Sequence, residues 1–330
     1  MNPPAPRVLL TSPLAADVRT WLPPEVAEVV PVSGRAELER EIATAEGLIC
    51  LLSDTIDAAL LARAPRLRVI GNHAVGFDNV AVAEATRRGI VVCNTPDVLT
   101  SATADLTFAL LLAAARRLPE AEALVREGGW TGWSPTQLLG ADLGGRTLGL
   151  IGFGRIAQAV ARRARGFDLH VTYHSRTRAS AELENYLDAT WKPMNELLSE
   201  SDFVSLHCPL TPETRGLIGA AELARMKRDA FLINTARGAC VDEDALAAAL
   251  EAGHLGGAAL DVYSDEPCVP ARLLRAPRTL LLPHVGSATR GARARMAELC
   301  ARGVAAVLAG ARPRNVVNPE VFASGGTPAS

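Results

Sequence analysis

The sequence predicts an α/β protein of two doubly wound parallel-sheet domains, a flavodoxin-like domain and a Rossmann-type dinucleotide-binding domain inserted into it. Three observations lead there. At 330 residues the chain is longer than one ordinary core organises. Short apolar runs alternate with helical stretches along almost all of it, the pattern of parallel strands joined by crossover helices. Hydrophobic residues make up 48 % but aromatics only 4 %, so the cores must be assembled from Ala, Leu and Val, which suits helices packed on buried strands.

The first alternation runs RVLLTS from Arg7, VAEVVPV from Val26, GLICLL from Gly47, RVIGNHA from Arg68 and IVVCNT from Ile90, with helical stretches such as ELEREIATA and NVAVAEATRRG between. Five strands by Thr95 complete one flavodoxin-like unit. A single long helix is then expected from Ser101 to about Glu127, apolar nearly all round at Phe108 to Leu112. A helix without a polar face is usually buried, here between domains or subunits. The second alternation is TLGLIGFG from Thr147, LHVTYHS from Leu169, FVSLHCPL from Phe203, AFLINTARG from Ala230, GGAALDVY from Gly256 and TLLLPHVG from Thr279. A last helix, about Thr289 to Leu308, leads into RPRNVVNPEVF and back to the first domain. The expected domains are therefore 1–99 with 287–330 for substrate and 100–286 for the dinucleotide, and the cleft between them is the expected site. The Gly/Ser/Pro tail after Ala323 is expected to be disordered.

Charge and cysteine usage narrow the partners. The net charge of -2 arises from 34 basic and 36 acidic residues spread along the chain, which gives no field to attract nucleic acid or anionic lipid. Cys50, Cys93, Cys208, Cys240, Cys268 and Cys300 are scattered without a CxxC or a Cys/His cluster. They read as reduced core fillers of a cytosolic protein, and no metal site is expected. The start, MNPPAPRVLLTSPL, lacks a signal peptide's apolar stretch, and Leu106–Ala115 falls short of the ~20 residues that span a bilayer, so a cytoplasmic protein without a membrane partner is expected.

The apolar run TLGLI is followed by GFGRIA and then by the helical QAVARRARGF. Gly152 would make the turn, Gly154 would let backbone N–H groups approach a pyrophosphate, and Ala157 would let the helix pack close to the strand. Phe153, Arg155 and Ile156 line the same turn. A Gly-rich surface loop is the alternative, but strand, turn and helix are all present in order. The next strand, LHVTYHS, is where an NAD site would place an acid on the ribose hydroxyls. Here stand His174, Ser175, Arg176, Thr177 and Arg178. A guanidinium with two hydroxyls suits the 2′-phosphate of NADP, so NADPH is the expected cofactor and NADH the alternative. A solvated basic loop would look the same.

Three later segments carry chemistry: NTARGACVDEDAL with Arg237, ALDVYSDEP with Asp261 and Glu266, and LLPHVGSAT with His284. Singly, Arg237 reads as a loop salt bridge, Glu266 as a turn acid before Pro267 and His284 as a satisfied histidine. Together, in this order after a GxGxxA turn, they resemble the D-isomer-specific 2-hydroxyacid dehydrogenase family. The resemblance runs from about Arg7 to Pro319 and includes HAVGFDNV, NTPDVLT and HCPLTPETRGLI. VLTSATADLTFALLLAAARR, SRTR and GGWTGWSP look most like its glyoxylate/hydroxypyruvate reductases.

The resemblance implies reduction of a small 2-oxo acid, glyoxylate or hydroxypyruvate, to the 2-hydroxy acid. Arg237 is similar to the family's arginine that grips the substrate carboxylate and polarises the 2-oxo group. His284 matches the general acid and Glu266 the partner that keeps it protonated. Val75 and Gly76 match backbone donors to the carboxylate. Thr103, Asp261 and Pro209 match cofactor contacts, joined by His207, Cys208, Thr214, Thr235, Ala236 and Gly286 in the same motifs. The resemblance also implies a homodimer, with Trp133 the residue that looks equivalent to a tryptophan reaching the other subunit's substrate pocket. Other D-2-hydroxyacid dehydrogenases, of D-lactate or 3-phosphoglycerate type, share these motifs. So do some dinucleotide-sensing corepressors. His73, just before the carboxylate loop, has no assigned role.

Overall fold

The computed structural model describes residues 4–323, so the tail beyond Ala323 lies outside the described residues. The chain divides into two compact units, Met1–Leu99 with Ser287–Ser330 and Thr100–Gly286.

In the first unit, β1 (Arg7–Leu10), β2 (Glu28–Pro31), β3 (Gly47–Cys50), β4 (Val69–Asn72) and β5 (Val91–Cys93) form a parallel sheet in the order β2-β1-β3-β4-β5, the flavodoxin-like order. Alternate residues serve opposite faces, as strand geometry requires. Leu9, Leu48 and Ile70 join one cluster with Leu38 and Leu60 of the crossover helices. Val8, Ile49 and Val69 join another with Cys300, Val304 and Val307 of the helix Arg290–Leu308. The returning segment is sewn to β5 by Asn318, fully buried. Its Oδ1 accepts the Val92 N–H at 2.8 Å and its Nδ2 donates to the Ile90 carbonyl at 2.9 Å.

In the second unit, β6 (Thr147–Ile151), β7 (His170–His174), β8 (Ala189–Trp191), β9 (Phe203–Leu206), β10 (Phe231–Asn234), β11 (Gly257–Leu260) and β12 (Thr279–Leu281) form a parallel sheet ordered β12-β11-β10-β9-β6-β7-β8. The order reverses between β6 and β9, the switch point beside which such sheets bind ligands. β8 lies outside the apolar runs of the sequence. It is a three-residue edge strand whose Thr190 is exposed, so no apolar run announces it.

The single helix expected from Ser101 to Glu127 is two helices, Thr100–Ala115 and Leu118–Arg126. Pro119 has no N–H for the Ala115 carbonyl four residues back, and that carbonyl instead accepts from Ala141 N at 2.8 Å. Arg117 turns the chain at φ +53°. The first helix buries Thr103, Ala104, Thr107, Phe108, Leu110, Leu111 and Ala115. The second buries nothing and exposes Leu118 and Val125. Five cysteines are buried as expected, but Cys268 is exposed. Among the described residues no helix is long and apolar enough to cross a membrane, and no cluster of His, Cys, Asp and Glu could hold a metal ion.

Candidate active site

A glycine turn begins where β6 ends. Gly152 has φ +88°, and a Cβ there would lie 2.8 Å from the Cys208 nitrogen and from the His207 carbonyl. Only glycine satisfies both the left-handed backbone and that contact. Gly154 caps the helix Arg155–Ala164 with open space before it, and Ala157 is fully buried under that helix. A glycine-built cradle at a helix N-terminus fits a pyrophosphate. Phe153 faces the other way. Its side chain is buried and stacks on Tyr173 at 3.8 Å between centroids, so that ring belongs to the core. Arg155 is exposed and Ile156 half-buried.

At the end of β7, Arg176 and Thr177 are exposed, and Ser175 Oγ donates to the Thr177 carbonyl at 2.7 Å. Arg178 is committed to Glu184, Nε to Oε1 at 2.9 Å and Nη2 to Oε2 at 2.8 Å. Glu184 Oε1 also accepts the Tyr173 hydroxyl at 2.6 Å. The folded loop therefore does meet an acid that the local sequence hides, but both of its oxygens are occupied. A second acid, Glu213, has its carboxyl held below the usual range by the Thr211 hydroxyl, its own N–H and the charge of Arg176.

The loop after β9 places His207 with Nε2 3.0 Å from Ser205 Oγ, and Thr214 Oγ1 donates to the Pro209 carbonyl at 2.7 Å. Cys208 Sγ lies 4.0 Å from Cys240 Sγ. On the helix Thr100–Ala115, Thr103 Oγ1 donates to the Gly286 carbonyl at 3.2 Å, and Thr107 Oγ1 lies 3.0 Å from Thr235 Oγ1.

Arg237, Glu266 and His284 come together from three strand ends. Buried Asn234 closes the Arg237 turn, its Oδ1 accepting Ala236 N at 3.0 Å and its Nδ2 donating to the Arg237 carbonyl at 2.9 Å. Arg237 Nη1 donates to the Ala236 carbonyl at 2.8 Å. Glu266 Oε2 meets His284 Nδ1 at 2.7 Å, while Oε1 accepts the Tyr263 N–H at 3.1 Å. Burial pushes the Glu266 carboxyl up. The bond and charge of His284, the Tyr263 N–H and the charge of Arg237 outweigh it and hold Glu266 below the usual carboxylate range. Glu266 therefore faces His284 as an anion, and with Nδ1 so engaged the other ring nitrogen is left for a substrate.

Asp261, only 1 % exposed, ties down the histidine segment. Its Oδ1 and Oδ2 accept the Val285 and Gly286 N–H groups, each at 2.7 Å. Burial raises its carboxyl above the usual range against the pull of Val285 N–H, His284 and Gly286 N–H. Tyr263 and Asn234 were missed by sequence reasoning, although both lie inside motifs it singled out.

In the other unit, Asn94 Nδ2 and Asn72 Nδ2 hold the Val75 and Gly76 carbonyls, each at 2.8 Å. The His73 ring is buried, close to Arg293. Trp133 is 82 % exposed within the single chain, so it does not pack beneath its own loop.

Residues 108–286 match the family model described as D-isomer specific 2-hydroxyacid dehydrogenase, NAD binding domain. The chain is 50 % identical over 294 residues to the glyoxylate reductase of Thermococcus litoralis, covering 88 % of each chain. Among solved structures it is similar to the TT0316 protein of Thermus thermophilus, with TM-score 0.88 and 48 % identity over 94 % of this chain and 99 % of that one. It is also similar to an NADPH-dependent glyoxylate/hydroxypyruvate reductase from Sinorhizobium meliloti, solved with NADP and malonate, with TM-score 0.85 and 36 % identity over 94 % and 96 % of the two chains.

Proposed function

The chain belongs to the D-isomer specific 2-hydroxyacid dehydrogenase family, and from that premise we propose that it reduces glyoxylate and hydroxypyruvate to glycolate and D-glycerate. As a member of that family it is an oxidoreductase with an NAD-binding domain. The observation that carries the proposal is the Glu266–His284 pair at 2.7 Å, with the Arg237 charge acting on the same carboxylate. An acid for the carbonyl oxygen and a cation for the carboxylate are what reduction of a 2-oxo acid needs.

When bound, the nicotinamide supplies the hydride to the substrate's carbonyl carbon. Arg237 grips the carboxylate and polarises the 2-oxo group through its fork of N–H donors. His284, oriented through Nδ1 by Glu266, gives the proton from Nε2 to the carbonyl oxygen. Val75 and Gly76 offer backbone N–H groups to the substrate carboxylate. Thr103, Gly152, Gly154, Thr235, Asp261, Gly286 and the His207–Pro209 loop hold the cofactor. Arg176, with Ser175 and Thr177, favours NADPH over NADH, in keeping with a similar structure that carries NADP. The working form is a homodimer in which Trp133 enters the neighbour's pocket. Its exposure in the single chain, together with that of Trp130, Leu118 and Val125, supports an apolar contact surface.

Purified protein mixed with glyoxylate, hydroxypyruvate, pyruvate or 3-phosphohydroxypyruvate, each with NADPH and with NADH, tests this by cofactor absorbance. Rapid oxidation of NADPH with the first two is expected. No turnover with any 2-oxo acid would overturn it.

A further inference from the structure

We propose that Tyr263 is the positioning residue that holds Glu266 and His284 in register, a role that rests on reading those two as the acid and its partner. Tyr263 follows β11 and is buried, 8 % exposed. Its N–H donates to Glu266 Oε1 at 3.1 Å, which leaves Oε2 turned to His284 Nδ1 at 2.7 Å. Its hydroxyl donates to the Leu282 carbonyl at 2.9 Å, two residues before His284. One residue thus restrains both members of the pair, Glu266 through its main chain and the His284 segment through its side chain.

The hydroxyl stays a donor over any working pH. Burial, reinforced by the charges of Asp261, Glu266 and Glu243, pushes the phenol up to about 12. The arginine turn leans on the same residue: a Cβ on Gly238, next to Arg237, would come within 1.9 Å of the Tyr263 carbonyl carbon. Tyr263 is therefore where the segments carrying Arg237, Glu266 and His284 meet. Removing only the hydroxyl leaves the ring packing, the Tyr263 N–H, the Leu282 N–H to Leu260 bond at 2.8 Å and the His284 N–H to Asp261 bond at 2.8 Å. The fold keeps its ties while the histidine segment loses its lateral one.

The test is Tyr263→Phe, with Glu266→Gln and the double variant beside it, each measured for kcat and KM against pH and for NADPH binding. A neutral-partner hydrogen bond is worth about 0.5–1.5 kcal/mol, so kcat should fall roughly two- to tenfold, with NADPH affinity and the KM for the oxo acid nearly unchanged. The alkaline fall of kcat should start at lower pH, in the same direction as in Glu266→Gln and by less. In the Glu266→Gln background, Tyr263→Phe should shift it no further. A limb that moves in Glu266→Gln but not in Tyr263→Phe overturns the role of Tyr263 alone, even if thermal stability drops. A limb unmoved in Glu266→Gln overturns the acid pair, and the role of Tyr263 with it.

Discussion

His284 sits at φ +53° against Asp261, whose main-chain oxygen accepts the His284 N–H at 2.8 Å while its carboxylate takes the next two N–H groups at 2.7 Å each. A non-glycine residue is uncommon there and persists because its surroundings impose it. Asp261 therefore fixes the backbone independently of the imidazole. His284→Asn, which tolerates this conformation, should keep the loop and NADPH binding while removing the acid. General acid catalysis contributes about 10²–10⁴-fold, and kcat for glyoxylate reduction should fall by that order. Steady-state kinetics beside a cofactor titration checks it, and a loss below tenfold would remove His284 from the role of acid.

The returning segment meets β5 through main-chain bonds, Val317 N–H to the Val92 carbonyl at 2.8 Å and Asn94 N–H to the Asn315 carbonyl at 3.1 Å, and through one buried side chain. Asn318 satisfies the Val92 N–H and the Ile90 carbonyl, and both are cut off from water. Leaving a buried polar group unpaired costs about 1–3 kcal/mol, so Asn318→Ala should destabilise the first unit by roughly 2 kcal/mol or more. Denaturant unfolding read by fluorescence gives the number, and a change under about 0.5 kcal/mol, within the range of ordinary surface substitutions, would contradict it.

His73 makes stability depend on pH. Burial, with the charge of Arg293, pushes its ring down to about 4, against about 6.5 in an unfolded chain. The unfolded state thus binds the extra proton first. Stability is full above about pH 6.5 and drains as pH falls toward 4, by up to about 1.4 kcal/mol per unit. His73→Phe removes the titration and the burial of a polar ring. It should be at least as stable at pH 7 and lose less on going to pH 4.5, as unfolding curves at both values would reveal. Equal losses in the two proteins would mean that the ring is solvated after all.

What the sequence made legible follows from where each signal resides. Strands β1 to β7 and β9 to β12 are announced by apolar runs and the turn after β6 by Gly152 and Gly154, because burial and φ demand those residues locally. The break at Arg117 was also written, in Pro119, but the apolar stretch Leu106–Ala115 outweighed it. Arg237, Glu266 and His284 were found by motif. Tyr263 escaped because its work is done by a hydroxyl reaching Leu282 and by a main-chain N–H, neither of which has a period or a spacing. Glu184 escaped likewise: it lies six residues past Arg178, and only the fold of the loop brings the two together.

That pairing sharpens the expectation for cofactor choice. Of the two arginines after β7, Arg178 is neutralised by Glu184, so Arg176 is the cation left to read a 2′-phosphate. Its nearby acid, Glu213, is fully exposed and so competes weakly in water. A hydrogen bond to a charged phosphate is worth about 1.5–3 kcal/mol, and each 1.4 kcal/mol is about tenfold. Arg176→Ala should therefore raise the KM for NADPH roughly ten- to hundredfold and leave that for NADH within about twofold, since NADH offers no phosphate there. Arg178→Ala should also disturb both cofactors, through loss of the Glu184 and Tyr173 network, without changing their ratio. Kinetics of both variants with both cofactors separates the roles. An unchanged ratio in Arg176→Ala, or a changed one in Arg178→Ala, would transfer the phosphate-reading role away from Arg176.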